Sequence, residues 1–351
     1  MLNKIKSVIL FPFNLCLKLI PKSFHYKIEI LLENLLSYVK KSFSSHDEIV
    51  NLKIGSTNFS LKARKNNLQA HTVYKKMRNE DSIYELSILT CLKSILDKTF
   101  ENKNLFLDIG SFIGYYTCFV AKYKKEKIDI ISIESNPDFS TDIEEAIKIN
   151  GITNVKVINE TLSDKNSRQY IYREMSIDAK NLENNDLDKN LYNNFKKYGF
   201  LKNSITLDSL NIEFDKYNNS NIMKIDAHGA EAKILSGAKN LLQNIDYILL
   251  ELHTDRDIEV YSPGYSKKQV IENLINQNFN CYLVSPHADI RTKLRNMDKF
   301  KNEYFSYKKK FEYISIKKDM IDKILFDRNL SDIFILCLKS DILITELSCF
   351  N

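Results

Sequence analysis

Residues 104–117 read Asn-Leu-Phe-Leu-Asp-Ile-Gly-Ser-Phe-Ile-Gly-Tyr-Tyr-Thr, and their types and spacing can do chemistry. An apolar strand runs into Asp108, Gly110 and Gly114 follow, and a helix begins. Gly110 lets the backbone turn and approach a ligand, and Gly114 lets the helix pack on the sheet. The strand over 127–134 ends in Glu134, twenty residues beyond Gly114. A carboxylate in that register is placed to accept hydrogen bonds from ribose hydroxyls. A second group lies further on. Asp226, His228 and Glu231 form Asp-x-His-x-x-Glu where a strand becomes a helix, and Glu251 and His253 end the next strand. A histidine with an ordinary pKa near 6.5 is a competent general base for a hydroxyl.

The loop is Asp-x-Gly-x-x-x-Gly, not Gly-x-Gly-x-x-Gly. Phe112 fills the place where a pyrophosphate needs close backbone approach, and Asp108 repels phosphate while suiting an ammonium group. S-adenosyl-L-methionine has a ribose, an amine and a sulfonium but no phosphate, so it fits this loop better than a dinucleotide. Asp226, His228, Glu251 and His253 are chemically acceptable metal ligands. That requires all four to converge, and the sequence reading assigns no metal.

Positioning these residues takes an alternation of strands and helices. Strands are expected near 104–109, 128–134, 154–159, 220–226, 245–251, 279–285 and 332–338, and helices near 81–97, 114–124, 138–149, 229–243 and 266–277. Asn136 is suited to cap the helix whose first turn holds Pro137. Residues 48–75 read as one or two hairpins around Gly55-Ser56. The implied fold is an open α/β sheet with helices on both faces, which binds ligands beyond the carboxyl ends of its strands. Two segments interrupt the alternation: 165–204, rich in Asn, Asp, Lys and Tyr with little periodicity, and 287–330, basic and aromatic. The domain reading is an amphipathic helical extension at 1–47, a hairpin and helix at 48–100, and the cofactor-binding domain at 101–351.

Four ordered segments together resemble the FkbM-type S-adenosylmethionine-dependent methyltransferases. They are Leu107 to Thr117, Ile131 to Pro137, Val157 to Asp164 with Thr206 to Leu210, and Met223 to Ala238 with Ile248 to His253. The resemblance covers about 80–285. It implies a class I methyltransferase fold, a mostly parallel seven-stranded Rossmann-like sheet, and methyl transfer usually to a hydroxyl of a sugar, glycan, polyketide or similar metabolite, with carboxylate acceptors as an alternative. It also implies that Asp108, Gly110, Ser111, Gly114, Thr117 and Asn136 surround the cofactor with Asp226, and that Glu134 binds its ribose. Thr161 and Leu162 would border the adenine. The chemistry of the residues themselves, rather than the resemblance, makes His228 the base with Asp226 orienting it or the acceptor; Glu231, Glu251 and His253 would line the acceptor side, while Glu231 also suits a first-turn carboxylate matching the helix dipole. Two departures stand out: Ser111-Phe112 replaces the family's more usual Ala-Asn, and His228 replaces a glutamate.

With 351 residues and 44% hydrophobic content, the chain can build a substantial core. A net charge of +6 falls short of a nucleic-acid-binding extreme. The basic 287–330 segment nonetheless leaves a nucleic-acid methyltransferase as an alternative, and His228 leaves a non-catalytic cofactor-binding module. Against the first, Asp226-Ala-His-Gly stands where amino-group base methylases often carry Asn/Asp-Pro-Pro-aromatic. Six scattered cysteines without a Cys-x-x-Cys pair support neither zinc nor a disulfide framework, and read as buried thiols of a reducing compartment. The apolar run 7–20 is short for a membrane span and no small-residue cleavage site follows it. With the amphipathic stretch 24–39, it suits packing against protein or peripheral contact with a membrane through 1–43. The expected location is the cytoplasm or its inner membrane face. The oligomeric state is not assigned.

Overall fold

The computed structural model describes residues 48–64, 85–98, 103–184, 189–217, 220–284, 313–322, 333–339 and 341–349. The expected amphipathic extension at 1–47 and most of the basic segment at 287–330 lie outside these residues. The elements below belong to one unit, formed by Ile49–Lys62 with Val73–Asn351.

Strands β1 (Glu48–Ile54) and β2 (Thr57–Ala63) form the expected hairpin, with the turn at Gly55-Ser56. Its apolar face alternates through Val50, Leu52, Ile54, Phe59 and Leu61, all buried. Helix α1 (Leu86–Lys98) leads to β3 (Asn104–Ile109), α2 (Tyr115–Lys124), β4 (Ile128–Ile133), α3 (Pro137–Asn150) and β5 (Val155–Ile158). The segment read as aperiodic is ordered. It holds β6 (Thr161–Leu162), β7 (Arg168–Tyr172), β8 (Met175–Asp178), α4 (Ala179–Asn184), α5 (Lys189–Tyr198) and β9 (Phe200–Ile205). These strands form a separate sheet in the order β6-β9-β7-β8. Ile177, Leu182 and Phe195 give it a small core of its own, closed by Tyr261.

The alternation resumes with β10 (Ile222–Ile225), α6 (Glu231–Ser236), β11 (Tyr247–Leu252), α7 (Asp255–Tyr261), α8 (Lys267–Asn276) and β12 (Phe279–Val284). Strands β13 (Tyr313–Ile316) and β14 (Ile333–Lys339) complete the main sheet. Its order is β13-β12-β14-β11-β10-β3-β4-β5. From β11 to β5 the pairs are parallel, whereas β14 runs antiparallel to both β11 and β12. Seven strands make the mostly parallel class I sheet expected from the sequence. The eighth, β13, is an added antiparallel edge strand from the 287–330 segment.

The chain builds β3, β4 and β5 outward in one direction, then returns to lay β10 against the other side of β3. This reversal is the topological switch point where open α/β sheets bind ligands. The strands here are buried on both faces, as parallel strands covered by helices must be, and every residue of β3, β10 and β11 is buried. Among the described residues, no helix is long and apolar enough to cross a membrane. Cys91, Cys118, Cys281, Cys337 and Cys349 are buried free thiols, as the sequence suggested.

Candidate active site

The site is assembled at the carboxyl ends of β3, β4, β10 and β11. On the β3 side the chain leaves Ile109 into a loop whose backbone is pinned to β4: Gly110 and Ser111 both donate to the carbonyl of Ile133, at 3.0 and 3.2 Å. Gly110 has φ of +71°, and a Cβ there would stand 1.8 Å from the carbonyl oxygen of Asp226. The glycine is thus required by the neighbouring strand end, in addition to any ligand. Gly114, at φ +77°, would place a Cβ 3.2 Å from Ile143 on α3, so it makes room for the next helix rather than for the sheet. Phe112 also has a left-handed backbone, φ +51°, and its ring meets Phe139 edge-on at 4.7 Å. That packing helps offset the strain of a non-glycine residue there.

Ser111 and Thr117 have inward-facing tasks. The Ser111 hydroxyl donates to the carbonyl of Asp108 at 2.6 Å. Thr117, fully buried, donates to Asp108 Oδ2 at 2.6 Å. Oδ1 of Asp108 is buried and has no hydrogen-bond partner among the described residues. Burial raises the Asp108 carboxyl, opposed by Lys224 and Thr117. A buried carboxylate oxygen with no donor is what an amine ligand would satisfy.

Glu134 is 4% exposed and holds the loop from the β4 side. Its Oε2 accepts from the backbone N–H of Phe112 at 2.8 Å and its Oε1 from that of Asn136 at 2.9 Å. Burial still pushes it up to about 7, against those two donors. Asn136 caps α3 as expected, accepting from the N–H of Asp138, while its Nδ2 donates to the carbonyl of Arg173. Asn159, not singled out in the sequence, ties this corner together by donating to the carbonyls of Glu134 and Ser135, and Lys202 donates to it in turn. Thr161 and Leu162 lie in β6, paired with Ser204 and Ile205. Both are buried, Leu162 in the main core and Thr161 with a hydroxyl that has no partner among the described residues.

The second half comes from β10 and β11. Asp226 donates its N–H to the carbonyl of Ile109, which fixes it beside the glycine loop. Its Oδ2 lies 3.3 Å from Lys224 Nζ, and Oδ1 lies 3.8 Å from His253 Nε2. Although burial opposes ionisation, Lys224, His228 and His253 hold Asp226 well below the usual carboxylate range. His228 has φ of +46°, and its ring stands 4.6 Å from that of His253. Glu231, read as an acceptor-side residue, is fully buried. Its Oε1 accepts from the N–H groups of Ala227 and Gly229, at 3.0 and 3.1 Å, and faces His253 Nδ1 at 2.8 Å. It therefore shapes the 227–229 turn and orients His253. Burial works against a charged His253, but Glu231 and then Asp226 and Glu251 outweigh it and raise the ring well above its ordinary value.

Glu251 sits within the same group, raised by burial and by repulsion from Asp226 and Glu85. Glu85, on the helix before the first strand, reads from the sequence as an exposed helical carboxylate, with contact to the cofactor's amine as the alternative. Instead it precedes α1 with φ of +48°, accepts from Tyr116 Oη at 2.7 Å, and brings a carboxylate within 4.8 Å of those of Asp226 and Glu251. Lys224 was also missed. It is buried in β10, stands over the Tyr116 ring at 5.0 Å, and is raised by Asp226 and Asp108 despite the burial that opposes it. Its only sequence signal was a lysine inside an apolar strand, which calls for carboxylate partners.

The fold thus joins Asp108, Gly110, Ser111, Gly114, Thr117, Glu134 and Asn136 in one half of the site, and Asp226, His228, Glu231, Glu251 and His253 in the other. Comparison with known proteins gives the family. The family model described as the methyltransferase FkbM domain matches residues 108–316, more than half of the chain, and that of the protein-L-isoaspartate(D-aspartate) O-methyltransferases matches 34–163. No curated protein matches the sequence. Similar solved structures include the precorrin-6y C5,15-methyltransferase of Geobacter metallireducens, at 10% identity over 74% of this chain and 95% of that one, with a TM-score of 0.33. The TYW2 protein of M. jannaschii in complex with AdoMet is 13% identical over 82% and 84%, with a TM-score of 0.32. A SAM-dependent methyltransferase of Agrobacterium tumefaciens is 8% identical over 84% and 71%, with a TM-score of 0.38. Scores this low add nothing on function to the family match, which is decisive: this chain belongs to the FkbM family of S-adenosyl-L-methionine-dependent methyltransferases.

Proposed function

We propose that the chain transfers a methyl group to a hydroxyl of a sugar, glycan or related hydroxylated metabolite, with His228 taking the acceptor's proton and Asp226 orienting His228 or the acceptor. The observation that carries this reading is the meeting of Asp226, His228 and His253 beside the glycine loop, their ligating atoms all within 4.8 Å of one another. When bound, S-adenosyl-L-methionine supplies a methyl group on a sulfonium, so the protein needs chiefly to orient an acceptor and remove its proton.

The residues fit that cofactor. Among the described residues, buried Asp108 Oδ1 has no donor. Glu134 stands at the end of β4 with its carboxylate against the loop backbone. The two histidines divide the remaining work. His253 is bound to Glu231; burial works against a charge on its ring, but Glu231 and Asp226 outweigh it and raise the ring above its ordinary value, so it favours positive charge beside Asp226. The His228 ring makes no hydrogen bond among the described residues and is the one left to act as base.

The test is methyl transfer from radiolabelled S-adenosyl-L-methionine to a panel of sugars, glycans, hydroxy acids, amines and nucleic acids, with wild type and His228→Ala. Transfer to a hydroxyl, lowered about 10²–10⁴-fold in kcat by His228→Ala with cofactor affinity kept, is the expected result. Transfer confined to nitrogen, carbon or nucleic acid, or unaffected by the substitution, would refute the reading.

A further inference from the structure

We propose that Asp226, His228 and His253 form a divalent-cation site that holds the acceptor through its oxygens. This rests on the hydroxyl-transfer reading and deepens it by naming how the acceptor is gripped.

Two features of the geometry support the site. First, Asp226 Oδ1 and His253 Nε2 are 3.8 Å apart, too far for a hydrogen bond. With metal–ligand bonds of about 2.0–2.2 Å, two ligands on one ion stand roughly 3–4.4 Å apart. A nitrogen of each of His228 and His253 and an oxygen of Asp226 lie within 4.8 Å of one another. Second, the supporting contact is already built. His253 Nδ1 is 2.8 Å from Glu231 Oε1, on a carboxylate that is fully buried and anchored by two backbone N–H groups. A carboxylate on the far nitrogen is how proteins orient a metal-binding imidazole and direct its other nitrogen to the ion.

Two imidazoles and one carboxylate favour Mn²⁺, Co²⁺ or Zn²⁺ over Ca²⁺ or Mg²⁺. Three protein ligands leave positions for substrate oxygen. An acceptor offering two adjacent oxygens, a vicinal diol or a hydroxy-carboxylate, chelates such an ion best. With the ion bound, His228 would serve as a ligand in place of acting as the base: the ion would acidify the coordinated hydroxyl, whose proton would pass to solvent water as its oxygen takes the methyl group from the sulfonium.

The test uses the full chain stripped with EDTA. Mn²⁺ and, separately, Co²⁺ are titrated by calorimetry and by visible spectrum, and bound Mn²⁺ is probed by electron spin-echo modulation for imidazole nitrogen. One ion per chain is expected, with coupling to two imidazoles. Affinity should fall at least tenfold in His228→Ala and about 10–100-fold in Glu231→Gln. A vicinal diol should bind more tightly with metal than without. Absence of a stoichiometric ion in folded wild type, or an ion without imidazole coupling, overturns the proposal whether or not the variants fold. Binding of S-adenosyl-L-methionine is measured in parallel in EDTA with circular dichroism as the folding control. Cofactor binding without a metal site leaves the methyltransferase reading standing and removes only the cation. If methyl transfer goes only to nitrogen or carbon, the hydroxyl reading fails whatever the ion does.

Discussion

At the glycine loop the interactions that count are local and largely backbone: Gly110 and Ser111 donate to Ile133, and Phe112 and Asn136 donate to Glu134. At the ends of β10 and β11 they are between side chains, with Lys224, Asp226, Glu231, His253 and Glu251 linked by charge and hydrogen bonds across two strands. The first half can bind a cofactor of fixed shape with a preset turn. The second is a cluster of opposing charges whose balance changes with whatever ligand enters. A site that must receive one constant partner and one variable partner is served by a rigid half and a titratable half.

The sharpest way to break this comparison is at the point where the halves touch. Gly110→Ala adds a Cβ 1.8 Å from the Asp226 carbonyl at a left-handed position. The strain and overpacking should cost about 3–5 kcal/mol and abolish cofactor binding, read by chemical denaturation and calorimetry. Next comes Glu231→Ala, which removes the acceptor of two backbone N–H groups and the partner of His253. A loss of about 3 kcal/mol in stability is expected, with turnover falling far more than cofactor affinity. Equal loss of both would mean that the halves do not act separately.

The Glu134 carboxyl gives a test in pH. Folding raises it from 4.5 to about 7, mainly through burial. A raised folded value means the contribution is full below about 4.5 and lost as pH climbs through 7. The stability advantage of wild type over Glu134→Ala should therefore shrink by about 2–3 kcal/mol between pH 4.5 and 8 in thermal melts without cofactor. In binding, the same substitution should weaken S-adenosyl-L-methionine roughly 10–100-fold in calorimetry, leaving the His228–His253 pair intact. The smallest effect is expected from Thr117→Val, which removes a hydroxyl donor to Asp108 Oδ2. About 1–2 kcal/mol of stability should go, measured by denaturant midpoint.

The separation between halves also explains what could be read in advance. Strands β3, β4, β11 and β12 and helices α2, α3 and α8 fall within about two residues of the sequence expectation, because buried parallel strands and amphipathic helices declare themselves in local apolar patterns. Helix α6 is shorter than its pattern, ending at Ser236 rather than near 243. At Gly237 the chain passes so close to the carbonyl of Ser163 that a Cβ would stand 2.3 Å from it, a contact made by residues far away in sequence. The sheet in 165–204 was illegible because its core residues Ile177, Leu182 and Phe195 are diluted among polar ones and cluster only in three dimensions. Alternation in Arg168–Tyr172, with Gln169 and Ile171 buried, was the signal available for it.

What the sequence determined by itself was the turn chemistry and the strand-end residues: Asp108, Gly110, Glu134, Asp226 and His228 are where the spacing put them, because a strand, a tight turn and a helix are set by neighbours within a few positions. What only the tertiary structure decided was their alliances. That Gly110 lies against Asp226, that Glu231 faces inward to His253, and that Lys224 and Glu85 share the Asp226 cluster follow from the order in which parallel strands are laid side by side. Strand order is set by the packing of distant segments and leaves no periodic trace in the chain.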